Sequence, residues 1–512
     1  MIQRLQWLLF LLHLSLPAIG QNCAGTQPTS LLQVDKPSTK TVGGTVPGSW
    51  KSSRDLANVT QIPPIFVGQN AGKDLYLHFT SAVPVFGPDG NYIALVHPYH
   101  DEIWQLSQRR NLFCSGANST LRKPIRVVGG EGNVGNKIAL AFLCDWPEEE
   151  AHLDRFEVFL EDSEGVALGS VLAERKAGML QQYGTVVCVR DTYPSNRTGL
   201  KMLPQWLEFN LAHGVDHFFV YTVNIDEPHL ADIYEPYIQS GKATRIHFDY
   251  DFDPGDFKDR TLHQMTTSDC VFRAKNHAQW VLPTYDIDEF LVTKDGSLFP
   301  GGVVPQDYMN STWDAAVQKL GLRRDQIHSI VFPLYRFQPA APGELAFRSM
   351  VRENRTQATC PKFVFNPKVV NTVGIHWVTS FDKGTHAITL TDKRAVAHHY
   401  KMPDGRVFFS VPNVSDQVLA LEVDTLEDAL TKRFGRPASR WLKELEEVPL
   451  VTRRLSSTKV PFSLIERDPS WQLEEDLLFQ HFEPWIASIN SGEGLKLIDP
   501  PEDPRTNDGK FP

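Results

Sequence analysis

The sequence has few cysteines, no Cys-x-x-Cys pair and no excess of positive charge. Only six cysteines occur among 512 residues, and without a Cys-x-x-Cys pair nothing suggests a zinc site. The formal net charge is −10, with 51 Lys and Arg against 61 Asp and Glu. Nucleic-acid binding needs a basic patch that neutralises phosphates, so this balance argues against a nucleic-acid partner. We find no internal repeats.

Long apolar runs are also scarce, and the longest stands at the N-terminus. Residues 1–20 combine an early Arg4, a short apolar centre and the small residues Ala18 and Gly20. About 15 apolar-rich residues fall short of the ~20 that span a bilayer, so the segment is predicted to be a secretory signal peptide. A short uncleaved anchor is the alternative. No other segment approaches a transmembrane helix, so membrane attachment is expected only through this segment.

Two further features agree with entry into the secretory pathway. Asn-x-Ser/Thr sequons, which are acceptors for N-glycosylation, occur at Asn58, Asn118, Asn196, Asn310, Asn354 and Asn413. The even number of cysteines permits disulfides, and Cys114 with Cys144 is the preferred pair because each ends a short apolar run. Two buried free thiols are the alternative for Cys188 and Cys270.

Composition divides the chain into successive regions. Residues 21–60 are rich in Thr, Ser, Gly and Pro, which predicts a flexible stem. Short apolar runs separated by Gly, Pro and Asn turns predict a β-sandwich-like accessory domain over 61–178. A larger folded domain is predicted over 185–490, and the acidic, Pro-rich end at 499–512 is predicted to be disordered.

From Thr185 the pattern changes to strands that alternate with helices. Apolar strands are expected at 185–189, 216–221 and 243–248, and the helices between them are expected to end at Gly214 and Gly241. This βαβαβ order predicts an α/β fold with a doubly wound sheet.

Three carboxylates interrupt an apolar run in this part of the chain. The segment 279–292 predicts a single buried strand that contains Asp286, Asp288 and Glu289. On one strand Asp286 and Asp288 share a face, with their Cα atoms roughly 6.5 Å apart. Ligands bind at the carboxyl ends of such strands, so the two acids are predicted to hold a divalent cation, or a cation with a ribose hydroxyl. Acids that merely meet solvent or a neighbouring Arg are the alternative.

Several segments together resemble glycosyltransferase family 92, which includes plant β-1,4-galactan synthases and animal fucose-directed galactosyltransferases. They are Thr185-Val-Val-Cys-Val-Arg-Asp-Thr192, Gln205-Trp-Leu-Glu-Phe-Asn-Leu-Ala-His-Gly-Val-Asp-His-Phe218, Asp269-Cys-Val-Phe-Arg273 and Trp280 through Leu291. The resemblance covers roughly 185–400. It implies a GT-A type fold with a mixed sheet, a nucleotide-sugar donor, a glycan acceptor, a divalent cation and inversion at the anomeric carbon. The region upstream is similar to the accessory sandwich of the plant members.

The resemblance also implies roles for individual residues. Asp286 and Asp288 would hold Mn²⁺ or Mg²⁺, with Asp288 nearer the diphosphate, and a His from the downstream segments, His399 in preference to His376, would complete the site. Donor contacts are expected from Arg190, Asp191, Asn224 and Arg273.

Two roles stay open at this point. Glu289 is expected either to act in catalysis or to pair with Arg273 or Lys275 of the preceding helix. An inverting transfer needs a carboxylate that deprotonates the acceptor hydroxyl, and Glu344 and Asp382 are the candidates.

The predicted activity is therefore that of a metal-dependent inverting glycosyltransferase, a hexosyltransferase that moves galactose from UDP-galactose to a glycan in β-linkage. The expected location is the Golgi lumen or Golgi membrane, with secretion if the signal is cleaved. A secreted carbohydrate-binding protein with an inactive transferase domain is the alternative. A metal-dependent phosphohydrolase would need more clustered His and Asp ligands than this chain shows.

Overall fold

The computed structural model of the chain describes the following residues: 65–70, 73–77, 79–87, 90–97, 103, 112–116, 122–131, 137–146, 155–174, 182–189, 197–223, 228–248, 258–283, 287–293, 305–337, 344–345, 357–374, 377–390, 395–400, 417–440 and 496–498. The predicted leader 1–20, stem 21–60 and tail 499–512 lie outside them. None of the helices in the described ranges is long and apolar enough to cross a membrane.

The first ten strands are antiparallel. Their bounds are β1 (Ile65–Asn70), β2 (Lys73–Leu77), β3 (Ser81–Gly87), β4 (Gly90–His97), β5 (Phe113–Gly116), β6 (Lys123–Pro124), β7 (Arg126–Glu131), β8 (Lys137–Trp146), β9 (Arg155–Glu161) and β10 (Ala167–Glu174). They form a β1–β2 pair and two four-stranded sheets, in the orders β3-β4-β8-β7 and β10-β9-β5-β6.

The two four-stranded sheets share one apolar core. Alternate residues of β4 point into it, such as Ile93 and Leu95, and they meet Val158 and Leu160 of β9. A disulfide between Cys114 of β5 and Cys144 of β8 joins the two sheets. This is the cysteine pair that the apolar runs favoured.

The remaining strands alternate with helices at first, as the sequence predicts, and later strands follow one another directly. Their bounds are β11 (Tyr183–Val189), α1 (Arg197–Ala212), β12 (His217–Val223), α2 (Pro228–Gln239), β13 (Ala243–Phe248), α3 (Lys258–Lys275), β14 (Ala278–Leu282), β15 (Glu289–Thr293), α4 (Pro305–Leu320), β16 (Ile327–Phe337), β17 (Gln357–Phe365), β18 (Val370–Val373), β19 (Val378–Phe381), β20 (His386–Thr389), β21 (Ala395–Tyr400), α5 (Gln417–Phe434) and β22 (Lys496–Ile498).

One mixed sheet of ten strands organises this half of the protein. Its order is β13-β12-β11-β14-β17-β16-β20-β22, and the first four strands are parallel. The long strand β16 pairs with β20 through its first half and with β21 through its second half, and β15 pairs with β21. An α/β fold with a mixed sheet is therefore confirmed.

The central strands are buried on both faces, as strands of a parallel sheet usually are. Val187 and Val189 of β11 face a core formed with α1, α2, α4 and α5. Val186 and Cys188 face the opposite side, where α3 packs. Helices on both faces give the doubly wound arrangement. At the ends of α1 and α2, Gly214 and Gly241 adopt positive φ values of 82° and 71°, which a residue without Cβ allows at little cost.

Helix α3 also joins the mixed sheet to the sheet β3-β4-β8-β7. Its residues Cys270 and Phe272 share one apolar cluster with Val85 of β3 and Val96 of β4. Just after the helix, the amide group of Asn276 accepts a hydrogen bond from Phe86 N and donates one to Pro84 O, both at 2.8 Å. The Asn276 side chain thus bonds to the backbone of β3 at the edge of its sheet.

A second disulfide crosses this face. Cys188 of β11 is bonded to Cys270 of α3, so the alternative of two buried free thiols is wrong. The two residues are 82 positions apart in the sequence. Spacing along the chain carries no sign of this pairing, which depends on α3 packing against β11.

We predict that the double variant Cys188→Ala/Cys270→Ala lowers the free energy of unfolding by about 2–4 kcal/mol, because the bond no longer restricts the unfolded chain. Cys114→Ala/Cys144→Ala is the matched comparison, with a shorter closed loop of 30 residues. Guanidinium denaturation of both variants measures the loss. Unchanged stability of the first variant would show that the Cys188–Cys270 bond does not contribute.

We also predict that stability falls as the pH drops from about 6.5 to 4. Burial lowers the pKa of His213 and His217 to about 4 and that of His328 to about 3, so the fold keeps them neutral while the unfolded chain takes up protons. The unfolded state binds more protons in this window, so stability rises with pH, by at most about 1.4 kcal/mol per pH unit for each neutral His. Denaturation at several pH values checks this, and His328→Leu should reduce the slope. An equal slope in that variant would contradict the assignment.

Candidate functional site

Asp288 lies in a turn rather than on a continuous strand. The predicted single strand over 279–292 is wrong, because β14 ends at Leu282 and β15 begins only at Glu289. Ile287 and Asp288 occupy the turn that leads into β15. The argument that Asp286 and Asp288 share a face assumed one continuous strand, so it no longer holds. Asp286 itself lies outside the described residues.

The main-chain carbonyls of Asp288 and Glu289 each accept a hydrogen bond. Tyr400 N donates to Asp288 O at 2.8 Å. The indole Nε1 of Trp206, fully buried on α1, donates to Glu289 O at 2.7 Å. Helix α1 and strand β21 thus both hold the turn. They fix the position of the main chain from which the Asp288 side chain projects.

Strand pairing brings a histidine to the same place. Glu289 of β15 lies opposite His399 of β21, so their side chains share one face of the sheet. His399 Nε2 lies 3.4 Å from Asp288 Oδ2, and His399 Nδ1 lies 3.5 Å from Glu289 Oε1. The imidazole therefore stands between two carboxylates.

The two carboxylates differ in their surroundings. Glu289 is 2% exposed, and its Oε2 forms an ion pair with Lys362 of β17 at 2.7 Å. Asp288 is 24% exposed, and its buried Oδ1 has no hydrogen-bond partner among the described residues. A buried carboxylate oxygen without a donor is costly unless a cation or a ligand satisfies it. Asp288 is thus the carboxylate with capacity left for a ligand.

The partner of Glu289 differs from the expected one. Arg273 and Lys275 were the predicted candidates, but Lys275 donates to Asn371 Oδ1 at 3.3 Å and Arg273 pairs with Asp269. Lys362 of β17, a strand that pairs with β16, takes that place. The sequence does carry a signal for Lys362, because its charge interrupts the apolar segment 361–365. The carboxylates in 279–292 interrupt an apolar run in the same way.

The electrostatics at His399 are set by opposing effects. Burial lowers the pKa of the imidazole, but the Asp288 and Glu289 carboxylates raise it more, so its pKa lies above the ordinary value of 6.5. A protonated imidazole cannot ligate a metal. Protons therefore compete with any cation at this site, and acid pH favours the protons.

Asp288 and His399 offer an oxygen ligand and a nitrogen ligand within a short distance of each other. A carboxylate with an imidazole suits Mn²⁺ better than the all-oxygen ligation typical of Mg²⁺. Across the described ranges, no group of three or more His, Cys, Asp or Glu side chains is arranged to hold a metal ion. The other predicted ligands, Asp286 and His376, lie outside those ranges.

Arg273 has a well-defined place inside the protein. Its guanidinium contacts both oxygens of Asp269, at 2.5 and 3.1 Å, and Tyr221 donates to the same carboxylate at 2.6 Å. Burial lowers the pKa of Arg273, but Asp269 and Tyr221 more than offset it, so the pKa is raised. This contact ties α3 to β12, and it occupies the guanidinium that was expected to contact the donor.

The candidate bases lie elsewhere in the chain. Glu344 is exposed beside the buried Leu345. Asp382 follows β19 and accepts a hydrogen bond from Asn371 at 3.3 Å. The described contacts of the Asp288 carboxylate include neither of them, so both roles stay predictions. The predicted donor residues Arg190, Asp191 and Asn224 lie outside the described residues, where they follow β11 and β12 in the sequence.

Of the six sequons, one falls within the described residues. Asn310 lies inside α4, and its Oδ1 accepts hydrogen bonds from Gln279 Nε2 at 2.8 Å and from the buried Trp280 Nε1 at 3.1 Å. A part-buried amide in mid-helix, whose Oδ1 already accepts two hydrogen bonds, argues against the predicted modification at Asn310. The sequons at Asn58, Asn118, Asn196, Asn354 and Asn413 lie outside the described residues.

Comparison with known proteins identifies one family. The family model described as Glycosyltransferase family 92 matches residues 183–434. The match begins at β11 and ends at the last residue of α5, and it includes Asp288, Lys362 and His399. Neither the curated proteins nor the solved structures contain a match.

We predict that Asn310 carries no glycan when the protein is produced in a secretory host. Enzymatic deglycosylation in heavy-oxygen water converts modified Asn to labelled Asp, and peptide mass spectrometry then reads each sequon. Asn310 should remain Asn, while labelling at any of the other five shows that the chain met the glycosylation machinery. Labelled Asp at position 310 would contradict the packing of its side chain against Trp280.

Proposed function

The chain belongs to glycosyltransferase family 92, and from this premise we propose that it is a metal-dependent inverting transferase that moves galactose from UDP-galactose to a glycan acceptor in β-linkage. Family membership supports a glycosyltransferase with a nucleotide-sugar donor and a glycan acceptor. Galactose, inversion and the cation go beyond that, and each rests on its own support.

The cation has the most direct structural support. The buried Oδ1 of Asp288 has no hydrogen-bond partner among the described residues, and His399 Nε2 lies 3.4 Å from the other carboxylate oxygen. Asp288 and His399 would hold the ion, together with Asp286 or His376. When bound, a divalent ion neutralises the charge that develops on the leaving nucleotide diphosphate.

The position of the site in the sheet supports a nucleotide ligand. Strands β11, β12, β13 and β14 are parallel, so their carboxyl ends meet at one edge. In open α/β sheets this edge is where ligands bind. The segment with Asp286 and Asp288 follows the carboxyl end of β14, while Arg190, Asp191 and Asn224 follow β11 and β12. We propose that all five residues bind the donor along this edge.

Galactose as the donor sugar and inversion rest on the resemblance to galactan synthases and fucose-directed galactosyltransferases. Inversion means a direct displacement, in which the acceptor oxygen attacks the anomeric carbon while the bond to the diphosphate breaks. The acceptor proton passes to a carboxylate, for which Glu344 and Asp382 remain the candidates. No covalent sugar–enzyme intermediate forms in this scheme.

We propose a location in the secretory pathway, in the Golgi lumen or on its membrane. The apolar segment 1–20 supports entry, and the two disulfides support an oxidising compartment, since such bonds are rare in the cytosol. Nucleotide sugars meet glycan acceptors in that compartment, which agrees with the proposed reaction.

We predict that Asp288→Asn reduces sugar transfer on the order of 100-fold or more without unfolding the protein, because the developing diphosphate charge is no longer neutralised. The measurement is release of nucleotide diphosphate from a panel of nucleotide sugars with Mn²⁺ and glycan acceptors. Asp325→Asn makes the same chemical change at a surface position, 63% exposed, and should keep wild-type activity. Full transfer by a folded Asp288→Asn variant, or in excess chelator, would rule out the cation site.

We predict a β-configured product and a preference for UDP-galactose in the same assay. The coupling of the anomeric proton in an NMR spectrum of the product distinguishes the two configurations. An α-linked product contradicts inversion, and a clear preference for UDP-glucose, UDP-N-acetylglucosamine or a GDP-sugar contradicts the donor assignment. Either result leaves membership in the transferase family untouched.

A further inference from the structure

Glu289 stands in the same site as Asp288 but is used differently. Both of its carboxylate oxygens face a partner: Oε2 contacts Lys362 Nζ at 2.7 Å, and Oε1 lies 3.5 Å from His399 Nδ1. At 2% exposure the carboxylate does not reach solvent. A side chain so enclosed is poorly placed to meet a substrate hydroxyl or to move onto an ion.

The two nitrogens of His399 are divided between the two carboxylates. Nδ1 faces Glu289 and Nε2 faces Asp288. Metal-binding histidines commonly donate their second ring N–H to a carboxylate, which fixes the tautomer and the orientation of the ring. In that arrangement the lone pair of the other nitrogen points towards the ion.

We propose that Glu289, held by Lys362, is a positioning residue that fixes the His399 ring with Nδ1–H towards Glu289 and Nε2 towards the cation site beside Asp288. This inference rests on the proposed cation site and extends it by a second layer of residues. It assigns Glu289 neither to the chemistry nor to direct contact with the ion. Lys362 serves by balancing the buried charge of Glu289.

The rival explanation is that Glu289 serves only to neutralise Lys362. The two explanations separate when both charges are removed together, because a buried ion pair replaced by apolar residues of similar volume often leaves stability unchanged, whereas removal of one partner strands the other charge. The variant Glu289→Leu/Lys362→Met removes one negative and one positive charge. Its net charge equals that of the wild type, so long-range attraction of the ion is preserved.

Mn²⁺ binding in the absence of donor provides a test that does not depend on activity. Electron paramagnetic resonance of free Mn²⁺ gives the affinity of the full chain for the ion. We expect Glu289→Leu/Lys362→Met to fold and to bind Mn²⁺ about 10- to 100-fold more weakly, which is the usual loss when such a supporting partner is removed. Glu289→Gln/Lys362→Met keeps an acceptor for the His399 N–H and should recover most of the affinity.

A matched control removes an ion pair away from the site. Glu208 of α1 and Arg433 of α5 are paired at 2.7 Å. Glu208→Leu/Arg433→Met also deletes one charge of each sign, and it should bind Mn²⁺ like the wild type. A loss in this variant equal to that of Glu289→Leu/Lys362→Met would show a general effect of lost ion pairs and would overturn the inference.

Nitrogen-15 NMR of the histidine side chains gives a second readout in the metal-free protein. We expect neutral His399 to carry its proton on Nδ1 in the wild type and in Glu289→Gln/Lys362→Met, and to lose that preference when position 289 is Leu.

If Glu289→Leu/Lys362→Met binds Mn²⁺ with wild-type affinity and keeps the same His399 tautomer, the inference about Glu289 is wrong. That result leaves the proposed cation site standing. Failure of the wild-type protein itself to bind Mn²⁺ overturns the proposed cation site and the inference with it.

Discussion

The buried ion pair between Glu289 and Lys362 is the interaction on which the site depends. Both side chains are almost fully enclosed, at 2% and 3% exposure, so each charge is tolerable only because the other is present. Glu289 belongs to β15, which reaches β17 only by way of β21 and β16. The ion pair connects the two ends of that run of strands. His399 lies on the strand beside β15, so the same contact determines where its imidazole stands.

Asp288 and Glu289 are adjacent in the sequence but have different partners, so they can play different roles. Glu289 has both oxygens engaged with Lys362 and His399, while Asp288 lies one residue earlier, in the turn, and its buried Oδ1 has no donor within the part of the chain that the structure describes. The difference arises from environment, since the two carboxylates have similar intrinsic acidity. In the cation site that we propose, Glu289 would be the supporting acid and Asp288 the ligand.

The scaffold around the turn is tied together across its layers. Helix α3 lies between the mixed sheet and the sheet β3-β4-β8-β7, and its apolar residues belong to a cluster that includes both. The Cys188–Cys270 bond joins the mixed sheet to α3, and the Cys114–Cys144 bond joins the two N-terminal sheets. On the opposite face, Trp206 of α1 holds the backbone of Glu289. A turn supported in this way presents Asp288 from a rigid base.

The sequence by itself determined the features that local patterns encode. Alternating strands and helices predicted β11 to β13 with α1 and α2, and glycines at 214 and 241 marked where those helices end, because a positive φ favours a residue without Cβ. Several separate segments that resemble glycosyltransferase family 92 were also enough, taken together, to identify the family. Only the tertiary structure decided the rest. An apolar run has the same period whether it forms one strand or two, so the break before Glu289 was not readable. The pairings of Glu289 with Lys362 and of Cys188 with Cys270 depend on strand order and helix packing, which bring together residues far apart in the chain and leave no local signal.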